Sequence, residues 1–187
     1  LDYCVIDPFL LPNGLRGNSR LKSFSLYLSG NLDIHNRELL AIADAIRENK
    51  GLIEWRLTCN GDIVINDETW SAVCDSFKLH PTLEVLDLST IHHGATTTPA
   101  VITSRIQVLL GMMEVNTSIH TIALRYQYKR HELFQQSVVP YLETNRFRPL
   151  VRAIQKALPI PYRAKLLGRA LLAVGNDPNR LWLLISG

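Results

Sequence analysis

The chain has 187 residues, 47% of them hydrophobic, and a formal net charge of +3. This length and apolar content allow a buried core and exclude a disordered chain. No run of 18 apolar residues occurs, so no helix is expected to cross a membrane, and three cysteines (Cys4, Cys59, Cys74) make no disulfide framework.

In chain order, Leu1 to Ile6 reads apolar-x-x-apolar-x-apolar, and Gly14 to Gly17 then marks a loop. The template returns at Leu21–Leu26, with Phe24 between. Leu39, Leu40, Ala43 and Ile46 follow at helical spacing. After the polar break Asn49 to Gly51 the template returns as Leu52, Trp55 and Leu57. Asn66 is a candidate N-cap, with Asp67 and Glu68 in the first turn where acids suit the helix dipole. Trp70, Val73, Cys74 and Phe77 form the next helical stripe, in which Cys74 reads as a small core residue. The break His80 to Thr82 precedes Leu83, Leu86 and Leu88. Thr98 and Pro99 predict an N-cap and a first helical residue, and Ile102, Ile106, Leu109, Leu110 and Met113 continue that helix. The break Asn116 to Ser118 precedes Ile119, Ile122 and Leu124. Asn116 also fits a glycosylation acceptor, but its place at a junction reads as a turn. A fourth helix is predicted near 131–144, kinked or split at Pro140.

The four full strings start 31, 31 and 36 residues apart. Such self-similarity marks repeats that bury their apolar faces only against one another, and hence a surface built for binding a macromolecule. The template resembles the leucine-rich repeat, and within it the ribonuclease-inhibitor-like class, over residues 1–148. The family's longer motif places an asparagine eight positions after the first leucine. Asn60 matches, and Ser29, Ile91 and Gln127 stand there in the other units. The resemblance implies an α/β solenoid with parallel strands on the concave side and helices on the convex side. Residues 149–187, broken by Pro149, Pro159 and Pro161, read as a helical C-terminal cap. In it, Leu166, Leu167 and Leu171 would cover the last repeat. The chain opens on leucine, at a strand signal, and ends on an apolar run. It reads as a candidate fragment of a longer array, in which further repeats, a targeting segment or a catalytic domain could precede residue 1.

Catalytic signatures are missing. His131 and Glu132 begin a zinc-protease pattern, but Gln135 stands where the second histidine is needed. His92 and His93 are adjacent on a loop and do not converge on one ion. The chain is therefore read as a non-enzymatic, intracellular, cytoplasmic scaffold with no cofactor and no metal.

The partner is expected to be another protein, held on the concave sheet face. Alternation along each string gives the rungs Ser23, Ser25, Tyr27; Glu54, Arg56, Thr58; Val85, Asp87, Ser89; and Thr121, Ala123, Arg125, with Tyr3, Val5 and Asp7 as a first rung. Tyr27, Glu54, Arg56, Asp87 and Arg125 are the candidate contacts, since tyrosine and arginine dominate hot spots. Arg56 and Asp87 share the fifth template position and should face each other as an exposed pair. The alternative is nucleic-acid or anionic-surface binding through 146–187, which holds eight basic residues and one acid, Asp177. Only Phe147, Tyr162 and Trp182 interleave there, and stacking platforms need more aromatic residues.

Overall fold

A computed structural model describes residues 10–28, 36–59, 63–92 and 98–157, together with 162, 164, 165, 168, 169 and 172. Helix α1 (Leu10–Arg16) leads into strand β1 (Ser23–Leu28), helix α2 (Asn36–Glu48) and strand β2 (Glu54–Cys59). The short strand β3 (Ile63–Val64), helix α3 (Asp67–Lys78), β4 (Val85–Asp87) and β5 (Ile91–His92) follow. Then come α4 (Pro99–Met113), β6 (Thr121–Ala123), the single turn α5 (Tyr126–Lys129), a π-helical turn over Phe134–Val138 and α6 (Val139–Ala157). The opening string Leu1 to Ile6, the rung Tyr3, Val5 and Asp7, residue Asn60, and Leu166, Leu167 and Leu171 lie outside the described residues. Residues 162, 164, 165, 168, 169 and 172 are helical, and Tyr162 and Leu172 are exposed.

Four strands form one parallel sheet in the order β1-β2-β4-β6, which is the order of the four template strings. Each strand starts two residues into its string. Strands β3 and β5 form a second, two-stranded parallel pair. Successive helices pack in chain order, α1 on α2, α2 on α3 and α3 on α4. The expected stripes meet the expected strand faces: Leu52, Trp55, Leu57, Leu83, Leu86 and Leu88 are buried against Ile46, Trp70, Val73 and Phe77 in one core. The rings of Trp55 and Phe77 lie 5.2 Å apart in a tilted pair. Full burial of each such aliphatic side chain is worth about 1.5–3 kcal/mol. Cys74 lies in this core, and burial pushes its thiol well above the usual range.

The helix starts follow the sequence signals. Asn66 Oδ1 accepts from the Thr69 amide at 2.7 Å, and Thr98 Oγ1 caps Val101 ahead of Pro99. The expected split of the fourth helix at Pro140 is not found: helical residues run without a break from Glu132 through the π turn into α6, and the π turn that ends at Val138 places the irregular hydrogen bonding just before Pro140, which lacks an N–H. Helix α6 continues through Pro149. An unexpected charged anchor joins α3 to α4. Arg105, 3% exposed, donates from Nε to Asp67 at 2.6 Å and from Nη2 to the Ile65 carbonyl at 2.9 Å. Its guanidinium lies 5.6 Å from the Trp70 ring, whose Nε1 donates to the Arg105 carbonyl.

The helix-to-strand turns share a polar device three residues before each template string. Asn49 Oδ1 accepts from the Gly51 and Leu52 amides, while its Nδ2 donates to the carbonyls of Leu15 and Asn18, both at 2.8 Å. Asn116 repeats this two units later. Oδ1 accepts from Ser118 and Ile119, and Nδ2 donates to the carbonyls of Phe77 and His80. Asn18 caps Arg20 and Leu21 in the first turn. Asn145, from α6, ends the row by donating to the carbonyls of Asn116 and Ile119. The buried amide of Asn116 answers the glycosylation question in favour of the turn. The turns are also tight. A Cβ on Gly51 would come within 1.9 Å of the Ser19 carbonyl oxygen, so this position excludes any side chain.

His80 occupies the same position with an imidazole. Its Nδ1 accepts from the Leu83 amide at 3.1 Å, so the neutral ring carries its proton on Nε2. Nε2 is buried without a hydrogen bond, on the side of the Ile46 and Asn49 carbonyls. Burial holds the imidazole below its usual value of 6.5, and the nearby Lys50 charge adds to this against those carbonyls.

Two outcomes follow for stability. Asn116→Ala leaves two amides and two carbonyls without their partner and should cost about 3 kcal/mol in urea unfolding; a loss within error of zero would show the contacts to be dispensable. For His80 the unfolded chain takes up the proton more readily than the folded one. Its contribution is therefore complete above pH 6.5 and is lost as the pH falls below that value. His80→Asn, which supplies both donors and keeps the acceptor, should be more stable and lose less stability between pH 7.5 and 5.5. An equal pH slope in the two proteins would contradict this.

Candidate binding face

Pairing places the outward residues of the four strands in rows. Ser23, Glu54, Val85 and Thr121 are in register, as are Ser25, Arg56, Asp87 and Ala123, and Tyr27 is opposite Thr58. Their neighbours Trp55, Leu57, Leu86 and Ile122 point into the core, so the alternation read from the sequence holds along the described strands. Ser23, Ser25 and Arg56 are exposed, while Glu54, Val85, Asp87, Thr121, Ala123 and Arg125 are half-buried. The structure thus brings Glu54, Arg56 and Asp87 together on two adjacent strands. Arg125 lies at the end of the last rung, as the residue before α5. The backbone of Tyr27 belongs to β1; its side chain lies outside what the structure describes.

The expected Arg56–Asp87 pair is corrected in one respect. Their Cα atoms are opposite one another, but the guanidinium turns to Glu54 on its own strand. Arg56 Nε donates to Glu54 Oε1 at 2.6 Å, and Nη2 pairs with the same oxygen. Ser23 Oγ donates to the other carboxylate oxygen at 3.0 Å. Asp87 is occupied instead by the turn after β4, where Oδ1 accepts from the Ser89 amide at 3.0 Å. Residues two apart on a strand share a face, so Glu54 competes directly with the cross-strand partner. The Arg56 hydrogen bond, followed by that of Ser23, holds the Glu54 carboxyl below its usual value of 4.5.

The rim at the start of the strands carries a feature that the template does not show. The Lys22 carbonyl accepts from both Ile53 and Glu54, that of Ile53 from both Glu84 and Val85, and that of Glu84 from both His120 and Thr121. Each of these carbonyls therefore takes two successive amides of the next strand where that strand begins. A groove of about 250 Å³ opens there, lined by Lys22, Ile53, Glu84, His120 and Arg148. His120 Nε2 lies 3.5 Å from Glu84 Oε2.

Among the described residues no three His, Cys, Asp or Glu side chains group as metal ligands, and no helix is long and apolar enough to cross a membrane. Both nitrogens of His131 have protein contacts, to Thr103 Oγ1 at 3.2 Å and to the Leu133 amide at 3.3 Å. Past the last rung lie Tyr126 and Arg130, whose ring and guanidinium stack. The sequence reading stops at Arg125, although the i, i+4 spacing of these two residues was a legible signal.

No protein-family profile matches the chain, and no curated protein does. A solved structure described as the tropomodulin C-terminal domain, from structural genomics of Caenorhabditis elegans, is similar in fold. It is 16% identical, with a TM-score of 0.50, and the match covers 81% of this chain and 100% of that one. The likeness speaks for a leucine-rich-repeat-like α/β fold with parallel strands.

If Arg56 holds Glu54 ionised, Arg56→Ala should raise the Glu54 carboxyl titration toward 4.5, as followed by carbon-detected NMR. A titration midpoint that does not move would show that the pair is not formed in solution.

Proposed function

We propose that the chain is a non-enzymatic protein-binding module of the ribonuclease-inhibitor-like class. In this reading residues 1–148 form a leucine-rich-repeat solenoid and residues 149–187 its helical cap. The outward sheet face is the concave contact surface, with Tyr27, Glu54, Arg56, Asp87 and Arg125 as its contacts. An intracellular, cytoplasmic setting belongs to the same proposal.

The observation that supports it most is the ordered charge on this face. Glu54 and Arg56 are held against each other and against Ser23 before any partner arrives. Side chains fixed in advance lose less entropy on binding. Their small neighbours Ser25 and Ala123 leave the backbone approachable. A second reading, binding of nucleic acid or another anionic surface through 146–187, draws on the exposed Lys165 and Arg169.

The test is cross-linking of the full chain to its partner in native extract, followed by affinity measurement with the isolated partner. Arg56→Glu should weaken binding about tenfold or more at unchanged melting temperature. Unchanged affinity would reject the face. Affinity that instead collapses with salt and with loss of the 146–187 charges would favour the second reading.

A further inference from the structure

The chain leaves the last strand through Arg125 and turns at once into α5. Tyr126 is 63% exposed, and the Arg130 guanidinium lies 4.0 Å from the centre of its ring. Lys129 and Arg130 are both exposed. The sequence from Val115 to His131 holds no aspartate or glutamate. The next acid, Glu132, accepts a hydrogen bond from Gln136 Nε2 at 2.8 Å. Among the described residues no carboxylate pairs with Lys129 or Arg130, whereas Arg56 is compensated by Glu54. Positive charge is therefore in excess at this one end of the face.

The geometry points to a docking site for a short acidic segment of a protein, formed by Tyr126, Lys129 and Arg130 and continuous with Arg125. The partner being a protein rests on the function proposed above. Carboxylates of the segment would meet the two cations, with Arg130 offering its fork of donors. The Tyr126 ring supplies apolar area beside them. The stack fixes Arg130 and Tyr126 relative to each other before binding, an arrangement typical of hot-spot residues. Nucleic acid fits less well. Binding of a strand needs several aromatic platforms in succession, and at this site Tyr126 stands alone with one face already taken by a guanidinium.

Fluorescence anisotropy on the full chain, with fluorescein-labelled octaglutamate, tests the site without the native partner. Octaglutamate should bind saturably and weaken with added salt, and octalysine should not bind. Combined Lys129→Glu and Arg130→Glu should weaken octaglutamate binding about tenfold or more, Tyr126→Ala should weaken it severalfold, and Tyr126→Phe should bind like the parent. Octaglutamate binding that is absent, or indifferent to the charge reversals, overturns the site. So does tighter binding of a twelve-nucleotide oligothymidylate. Native-partner affinity that ignores Arg56→Glu, with octaglutamate binding still dependent on α5, rejects the proposed face and leaves this site standing.

Discussion

At each helix-to-strand turn the chain must reverse tightly while burying backbone amides and carbonyls, and a buried polar group without a partner costs more than a made hydrogen bond contributes. Asn49 and Asn116 meet this demand with one side chain each. The amide oxygen caps the start of the coming strand, and the amide nitrogen holds the two carbonyls of the turn before it. The same side chain thus closes its own turn and ties it to its neighbour. The strand register and the rows of outward residues depend on that link, because a shift of one residue would turn every core side chain to solvent. His80 fills the middle turn with a less suited group, which keeps the acceptor and leaves its buried donor without a hydrogen bond.

Much of the fold was legible. The strings anchored by Leu52, Leu83 and Ile119 named the strands, and the stripes of Trp70 to Phe77 and Ile102 to Met113 named the helices. Apolar periodicity records burial directly. The caps at Asn66 and Thr98 were legible because N-cap chemistry is local. The turn row was visible only as polar breaks. The family's asparagine stands eight positions after the leucine, whereas Asn49 and Asn116 stand three positions before it. Nothing local marks which breaks are buried, and a histidine in the row hides the repeat. Arg105 was missed for a similar reason, since an arginine beside an apolar stripe reads as solvated until Asp67 and Trp70 are brought to it.

The candidate face was legible in its alternation but not in its pairing. Sequence position puts Arg56 opposite Asp87, and so does the register. Which carboxylate takes the guanidinium is decided by side-chain reach and by the demand of the Ser89 amide on Asp87. The outcome matters for recognition. The middle of the face carries a compensated pair, and the excess positive charge moves to α5, beyond the rungs. A partner read from the rungs alone would lack a charge preference, while one that also reaches Tyr126 and Arg130 would have an acidic end.

Native-state hydrogen exchange on the amides of Leu52, Leu83 and Ile119 tests the turn row most directly. All three sit in turns, outside the assigned strands, and donate to Asn49, His80 and Asn116 respectively. If the row holds the repeats together, these amides open only with the core and exchange as slowly as those of the neighbouring strands. Exchange at the rate of ordinary surface-turn amides, with the strands still protected, would contradict the account.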